Sequence, residues 1–376
     1  LDCEQISRPQ PVGILAPPEG LLLWPQEQAK AIGESGERAG RPILDDTPLG
    51  RYNRFVLEPD LEVYRALQEE LSQEFAGLLH LAAFTGGVAS QPPEPFGEGE
   101  FLGLCRLIRA SWFFEQDEPE KAIVELKAGV EASREASPLL AAQLLSHLAD
   151  SESGPHKVLC YQEAIRLAGE RNLVVSELWL NLGITYQQLA QQGQRGPLVE
   201  AVSCYQRALQ YFTKEEHPQS YALAQNNMAL AYLSMPMTEA SDQLRMGVAV
   251  QALREVLKVY TRENAPAAWA SAQMNLANSL QYLPSAHPEQ NLAEAVEIYE
   301  QLLPLRDPET DPLGHARLLA NQANALAHLG VFLHAREKFT QSREFFLKGG
   351  DPESARAVEE QLEALPVEKE SRLGAL

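Results

Sequence analysis

Asparagine is a mediocre helix former, because its amide competes with the backbone for hydrogen bonds. This chain nonetheless sets Asn181, Asn227, Asn275 and Asn321 inside stretches that otherwise read as helix, at intervals of 46, 48 and 46 residues. Two of the phrases are near-copies, QNNMALAY at Gln225–Tyr232 and QMNLANSLQY at Gln273–Tyr282. Asn278 and Asn324 follow three residues after Asn275 and Asn321 and so share their helix face. Gln187, Gln225, Gln273 and Gln281 are near neighbours. A terminal amide both donates and accepts, which is what a peptide bond requires of anything that grips it. A ladder of amides can therefore hold an extended chain without demanding particular side chains. The competing reading is that the amides bond between neighbouring repeats, or simply sit on a solvated surface. Four phased copies exceed what solvation requires, which favours the binding reading.

Other chemistry is thinly represented. GESGE at Gly33–Glu37 is one residue off a nucleophile elbow and follows no strand. GEGEFLG at Gly97–Gly103 is not a dinucleotide-binding fingerprint and reads as a linker entering a helix. There is no P-loop and no HExxH, and the eight histidines form no compact ligand set, so no metal or cofactor is expected. His328 and His334 read as a solvated pair, and Glu69 and Glu70 as a solvated helix face. Cys160 and Cys204 occupy equivalent places beside Tyr161 and Tyr205 and read as small buried hydrophobes. No enzymatic activity is expected.

The elements that must position the amides are helices. Apolar residues from Leu61 to Leu79 recur at helical spacing, and no alternating run bounded by hairpin turns reads as a strand. CYQEAIRLA at Cys160–Ala168 recurs as CYQRALQYF at Cys204–Phe212, 44 residues later. The phrases beginning at Asn181, Asn227, Asn275 and Asn321 precede such segments, and each carries a small residue (Gly183, Ala229, Ala277, Ala323) two places after its Asn. Each unit is thus a pair of helices, and the small residue lets the partner helix approach closely. Internal repetition of this kind marks a solenoid.

The pattern resembles the tetratricopeptide repeat family, in particular its long-repeat bacterial arrays. Ala323, Leu326, Ala335, Phe339 and Ser342 fit the family spacing best. Gly183, Tyr186, Ala201, Tyr205 and Ala208 fit with a lengthened turn, and two earlier units around Ala110–Gly129 and Leu145–Ala164 fit more loosely. The resemblance implies an all-α fold: a right-handed superhelical solenoid of about six hairpins over residues 100–350. An N-terminal helix and linker (58–99) precede it, and a C-terminal capping helix and tail (351–376) follow. Gly349–Gly350 reads as a helix stop, with Asp351 as N-cap and Pro352 at the first helical position. Residues 1–57, rich in Pro and Gly, read as an N-terminal arm that contacts a partner or fills a groove.

In this family the first helix of each hairpin lines the concave surface, and the four phased asparagines match the position that faces it. The resemblance therefore implies a non-catalytic interaction scaffold, an assembly factor or adaptor, holding an extended protein or peptide segment. Tyr186, Tyr232 and Tyr282 are expected to pack in or near the core. A Lys/Arg clamp for a C-terminal carboxylate, known in some members, is not matched. Leu180, Leu230, Met274 and Ala320 stand at those positions, and Arg317 is the only cation on offer. The alternative implied function is a regulatory or accessory subunit of an enzyme or signalling complex.

Bulk properties agree. A formal net charge of −21 disfavours nucleic acid and anionic membrane as partners. The longest apolar stretch, about Phe75–Ala89, is interrupted by His80, Thr85 and two glycines and is too short to span a bilayer. Four scattered cysteines suit a reducing compartment, and a cytoplasmic location is expected. The chain begins at Leu1 rather than Met, which leaves a removed leader open.

Overall fold

Proline punctuates this chain. It stands at the start of helix after helix (Pro48, Pro119, Pro138, Pro218, Pro266, Pro288, Pro312, Pro352). There its missing N–H costs nothing and its fixed φ is already helical. A computed structural model describes residues 44–71, 73–170, 173–191, 197–236 and 242–366. Among them are sixteen α-helices, one short 3-10 turn at Leu303–Leu305, and no strand. They form two compact units, one ending at Tyr211 and one beginning at Phe212.

The first unit opens with α1 (Pro48–Leu57), α2 (Leu61–Glu70) and α3 (Gln73–Thr85), which bury Tyr52, Phe55, Tyr64, Leu67 and Leu79 together. Helix α1 lies in the stretch expected to be an irregular arm. Thr47 caps it by accepting from the Gly50 N–H at 3.2 Å, and Leu49, Tyr52, Phe55 and Val56 give it an apolar face. Ten residues behind a Pro/Gly-rich run are too few to show a helical period. Residues 1–43 lie outside the described residues.

Three helix pairs follow in the same unit: α4 (Gly99–Glu115) with α5 (Pro119–Ser133), α6 (Pro138–Ser151) with α7 (Gly154–Ala168), and α8 (Leu173–Gln191) with α9 (Pro197–Ala208). Ala110, Ala122, Leu126, Leu144, Tyr161 and Ala164 are among its fully or almost fully buried residues. The small residues act as expected. A Cβ on Gly183 would stand 2.5 Å from the Tyr205 ring, so only glycine lets α9 seat its tyrosine against α8.

The second unit repeats the design. Helix α10 (Pro218–Ser234) packs on α11 (Asp242–Val256), α12 (Pro266–Leu280) on α13 (Pro288–Leu302), and α14 (Pro312–His328) on α15 (Phe332–Lys348). Ala229, Ala277 and Ala323 are fully buried, in the same role as Gly183. Helix α16 (Pro352–Ala364) covers α15, burying Ala355 and Val358 with Phe339 and Phe346. Gly350 turns at φ 79°, and Asp351 caps α16, accepting from the Ser354 N–H at 3.0 Å and its hydroxyl at 2.7 Å. No described helix is long and apolar enough to cross a membrane.

Candidate functional site

The first helices of the pairs carry the amides. In the second unit they gather around a tyrosine. Tyr299 of α13 is fully buried, and its hydroxyl donates to the Asn278 Oδ1 at 2.6 Å. Gln281 Nε2 donates to the same hydroxyl at 2.7 Å. Asn321 Nδ2, on α14, reaches across to the Asn278 Oδ1 at 3.1 Å. Asn278 and Asn321 therefore join consecutive first helices, as the inter-repeat reading of the amide series anticipates. Burial raises the Tyr299 phenol above its ordinary pKa, so it stays a neutral donor.

The first unit holds a simpler version. Tyr205 donates its hydroxyl to Gln187 Oε1. Gln187 and Gln281 each stand six residues after a phased asparagine. Their shared role is to satisfy a buried tyrosine of the second helix, where an unpaired hydroxyl would be costly.

The remaining amides differ in their surroundings. Asn181, Asn275, Asn324, Gln225 and Gln273 are half-buried, and Gln225 bonds the Tyr221 hydroxyl one turn away. Asn227 is 0% exposed, and both its Oδ1 and Nδ2 lack a hydrogen-bond partner. Gln273 Oε1, Gln281 Oε1 and Gln322 Oε1 are also enclosed and unpartnered. Native proteins leave few such atoms, and here they cluster on the first helices. Arg317 is exposed. Its charge contributes to holding the carboxyls of Asp311 and Asp351 below their ordinary values, behind the larger effect of backbone hydrogen bonds from Gly314 and Ser354.

One expected placement fails. Tyr282 is 61% exposed, not packed in the core. Helix α12 stops at Leu280, so the helical period no longer places residue 282, and its ring meets His328 edge-on at 6.2 Å. Tyr186 does pack against the first unit's core.

Of the described cysteines, Cys105 and Cys204 are buried as packing residues and Cys160 is half-buried, while Cys3 lies outside the described residues. Burial pushes the thiols of Cys105 and Cys204 up to about 12, and that of Cys160 is raised as well. Such thiols are poor nucleophiles at neutral pH. Among the described residues no group of three or more His, Cys, Asp or Glu is placed to hold a metal ion.

Two residues escaped the sequence reading. Gln143 on α6 and Glu177 on α8 line a cavity of about 200 Å³ that also takes in Asn181. The available signal was Glu177 itself, the one charged residue in LVVSELWLNL.

Searches by sequence, against protein-family models and against curated proteins, matched nothing. Solved structures do match. BtubC (BKLC) from P. vanneervenii is 16% identical, with 73% of this chain and 94% of that one covered and a TM-score of 0.38. The TPR2AB domain of yeast Sti1, solved as a pHSP90 complex, is 17% identical over 70% and 98%, at 0.25. Yeast Tom70 is 11% identical over 85% and 66%, at 0.28. None of the three is near enough to lend this chain its partner.

Proposed function

We propose that this protein is a non-catalytic interaction scaffold of the tetratricopeptide type. Its first helices hold an extended peptide segment of a partner protein through side-chain amides. The helix pairs are read as about six repeats of a right-handed solenoid type, and the protein as working in the cytoplasm. In the second unit the binding face is Asn275, Asn278, Asn321, Asn324, Gln225, Gln273, Gln281 and Arg317. In the first it is Asn181; the buried Gln187 of the first unit and Asn227 of the second form the layer beneath. The observation that carries this reading is the recurrence of half-buried side-chain amides on the first helices, at Asn181, Gln225, Gln273, Asn275 and Asn324. A half-buried terminal amide offers both a donor and an acceptor, which matches the C=O and N–H of a peptide bond. The net charge of −21 supports a protein partner over a nucleic acid.

The experiment is selection of peptides from a random display library on the purified chain, followed by affinity measurement on Asn275→Ala/Asn324→Ala. Neither residue belongs to the Tyr299 network, so melting should be unchanged while affinity falls about tenfold or more. Unchanged affinity on a folded double variant refutes the amide face.

A further inference from the structure

The cavity between α6 and α8, backed by α7, has the chemistry of a built site. Gln143 is 5% exposed, and both its Oε1 and Nε2 face no partner. On the opposite wall Glu177 has an enclosed Oε2, also without a partner. The cavity's other charges cancel each other. Lys157 Nζ is 4.0 Å from Asp150 Oδ1 and 6.0 Å over the Tyr161 ring, and the Tyr161 hydroxyl donates to Asp150 at 2.9 Å. Glu177 is thus an enclosed carboxylate with no counter-charge. Leaving it so is expensive.

We propose that this cavity receives an arginine side chain of a partner polypeptide. Its guanidinium forks onto the Glu177 carboxylate and donates to Gln143 Oε1, while a main-chain carbonyl of the same residue accepts from Gln143 Nε2. A guanidinium offers five N–H donors in a planar fork and sheds its hydration more readily than an ammonium, which suits a recess with two acceptor groups. An anion is excluded by Glu177 and Asp150. A neutral amide leaves the carboxylate without a cation. The cavity lies wholly in the first unit, so the assignment stands or falls apart from the amide face of the second.

The probe is N-acetyl-arginine amide, titrated by calorimetry into the full chain at about pH 8 and constant ionic strength. N-acetyl-citrulline amide serves as the neutral isostere, and N-acetyl-lysine amide as the second cation. Saturable binding of the arginine compound is expected. The citrulline compound should be about tenfold weaker, as should the arginine compound on Glu177→Gln, because a charge-assisted hydrogen bond is lost in each case. Gln143→Leu should weaken it too, and melting curves confirm that both variants fold. Affinity should fall on going to about pH 6, where Glu177 gains a proton. His147, Asp150, Lys157 and Tyr161 are the other titratable side chains facing the cavity. Equal binding of arginine and citrulline compounds, full affinity on Glu177→Gln, or no saturation overturns the proposal. Tighter binding of the lysine compound overturns the guanidinium assignment. A failed small-molecule titration with display-selected peptides still held through Asn275 and Asn324 removes the pocket and leaves the scaffold.

Discussion

Glu177→Gln removes a charge and almost nothing else, since the two side chains share one shape. In the folded chain burial pushes the Glu177 carboxyl from its ordinary 4.5 up to about 7, with no neighbouring charge contributing. Below about pH 4 the residue is protonated in both folded and unfolded chains and costs no stability. As pH rises above the unfolded value, the unfolded chain releases its proton while the folded chain keeps it, so folding loses ground. The loss stops growing once pH passes about 7, where the folded carboxyl ionises as well. At 1.36 kcal/mol per unit, the gap of about two and a half units is worth roughly 3 kcal/mol. Glutamine does not titrate. The variant should therefore match the wild type near pH 4 and exceed it by roughly 3 kcal/mol near pH 8. Urea unfolding of the two proteins across that range, monitored by helical circular dichroism, gives the difference directly, and other titrating groups cancel in the subtraction. A difference that is flat with pH, or that grows towards low pH, refutes an enclosed and uncompensated Glu177.

Other expectations follow from the same geometry. Gly183→Ala gains about 1 kcal/mol of helix propensity but drives its Cβ into the Tyr205 ring. Overpacking of that kind costs about 1–3 kcal/mol, so denaturant midpoints should show net destabilisation. A double-mutant cycle on Asn278→Ala and Asn321→Ala should return a coupling of about 0.5–1.5 kcal/mol, and additivity would contradict the bond between α12 and α14. Asp351→Ala removes two hydrogen bonds at the start of α16. Hydrogen exchange in that helix should quicken, with about 1 kcal/mol lost.

The helix pairs were legible in the sequence because close packing leaves a phased record. Gly183, Ala229, Ala277 and Ala323 had to be small, and Tyr205, Tyr299 and Phe339 had to fill the space opposite. Asp351–Pro352 was legible because a cap is chemistry between near neighbours in the chain. Helix α1 was not, since ten residues between turn formers carry little periodic signal. Tyr282 was misplaced because periodicity cannot announce that a helix has already ended. The amides were visible as a series, but their division of labour was not. Which Asn meets a tyrosine on the next helix and which stays unpaired depends on contacts across some 20–45 positions, such as Asn278 with Tyr299 and with Asn321. The cavity was hidden for the same reason: Gln143 and Glu177 belong to different first helices, and only the fold brings them to one recess.

The central claim is that side-chain amides read a partner's peptide bonds. An ester scan of a display-selected peptide tests it most directly. Each ligand N–H is replaced in turn by an ester oxygen, and affinity is measured on the wild-type chain and on Asn275→Ala. The account predicts several positions where the ester weakens binding about threefold to tenfold, in line with about 1 kcal/mol per lost hydrogen bond, with at least one of them insensitive on the variant. A peptide that tolerates every ester while depending on its side chains would contradict it.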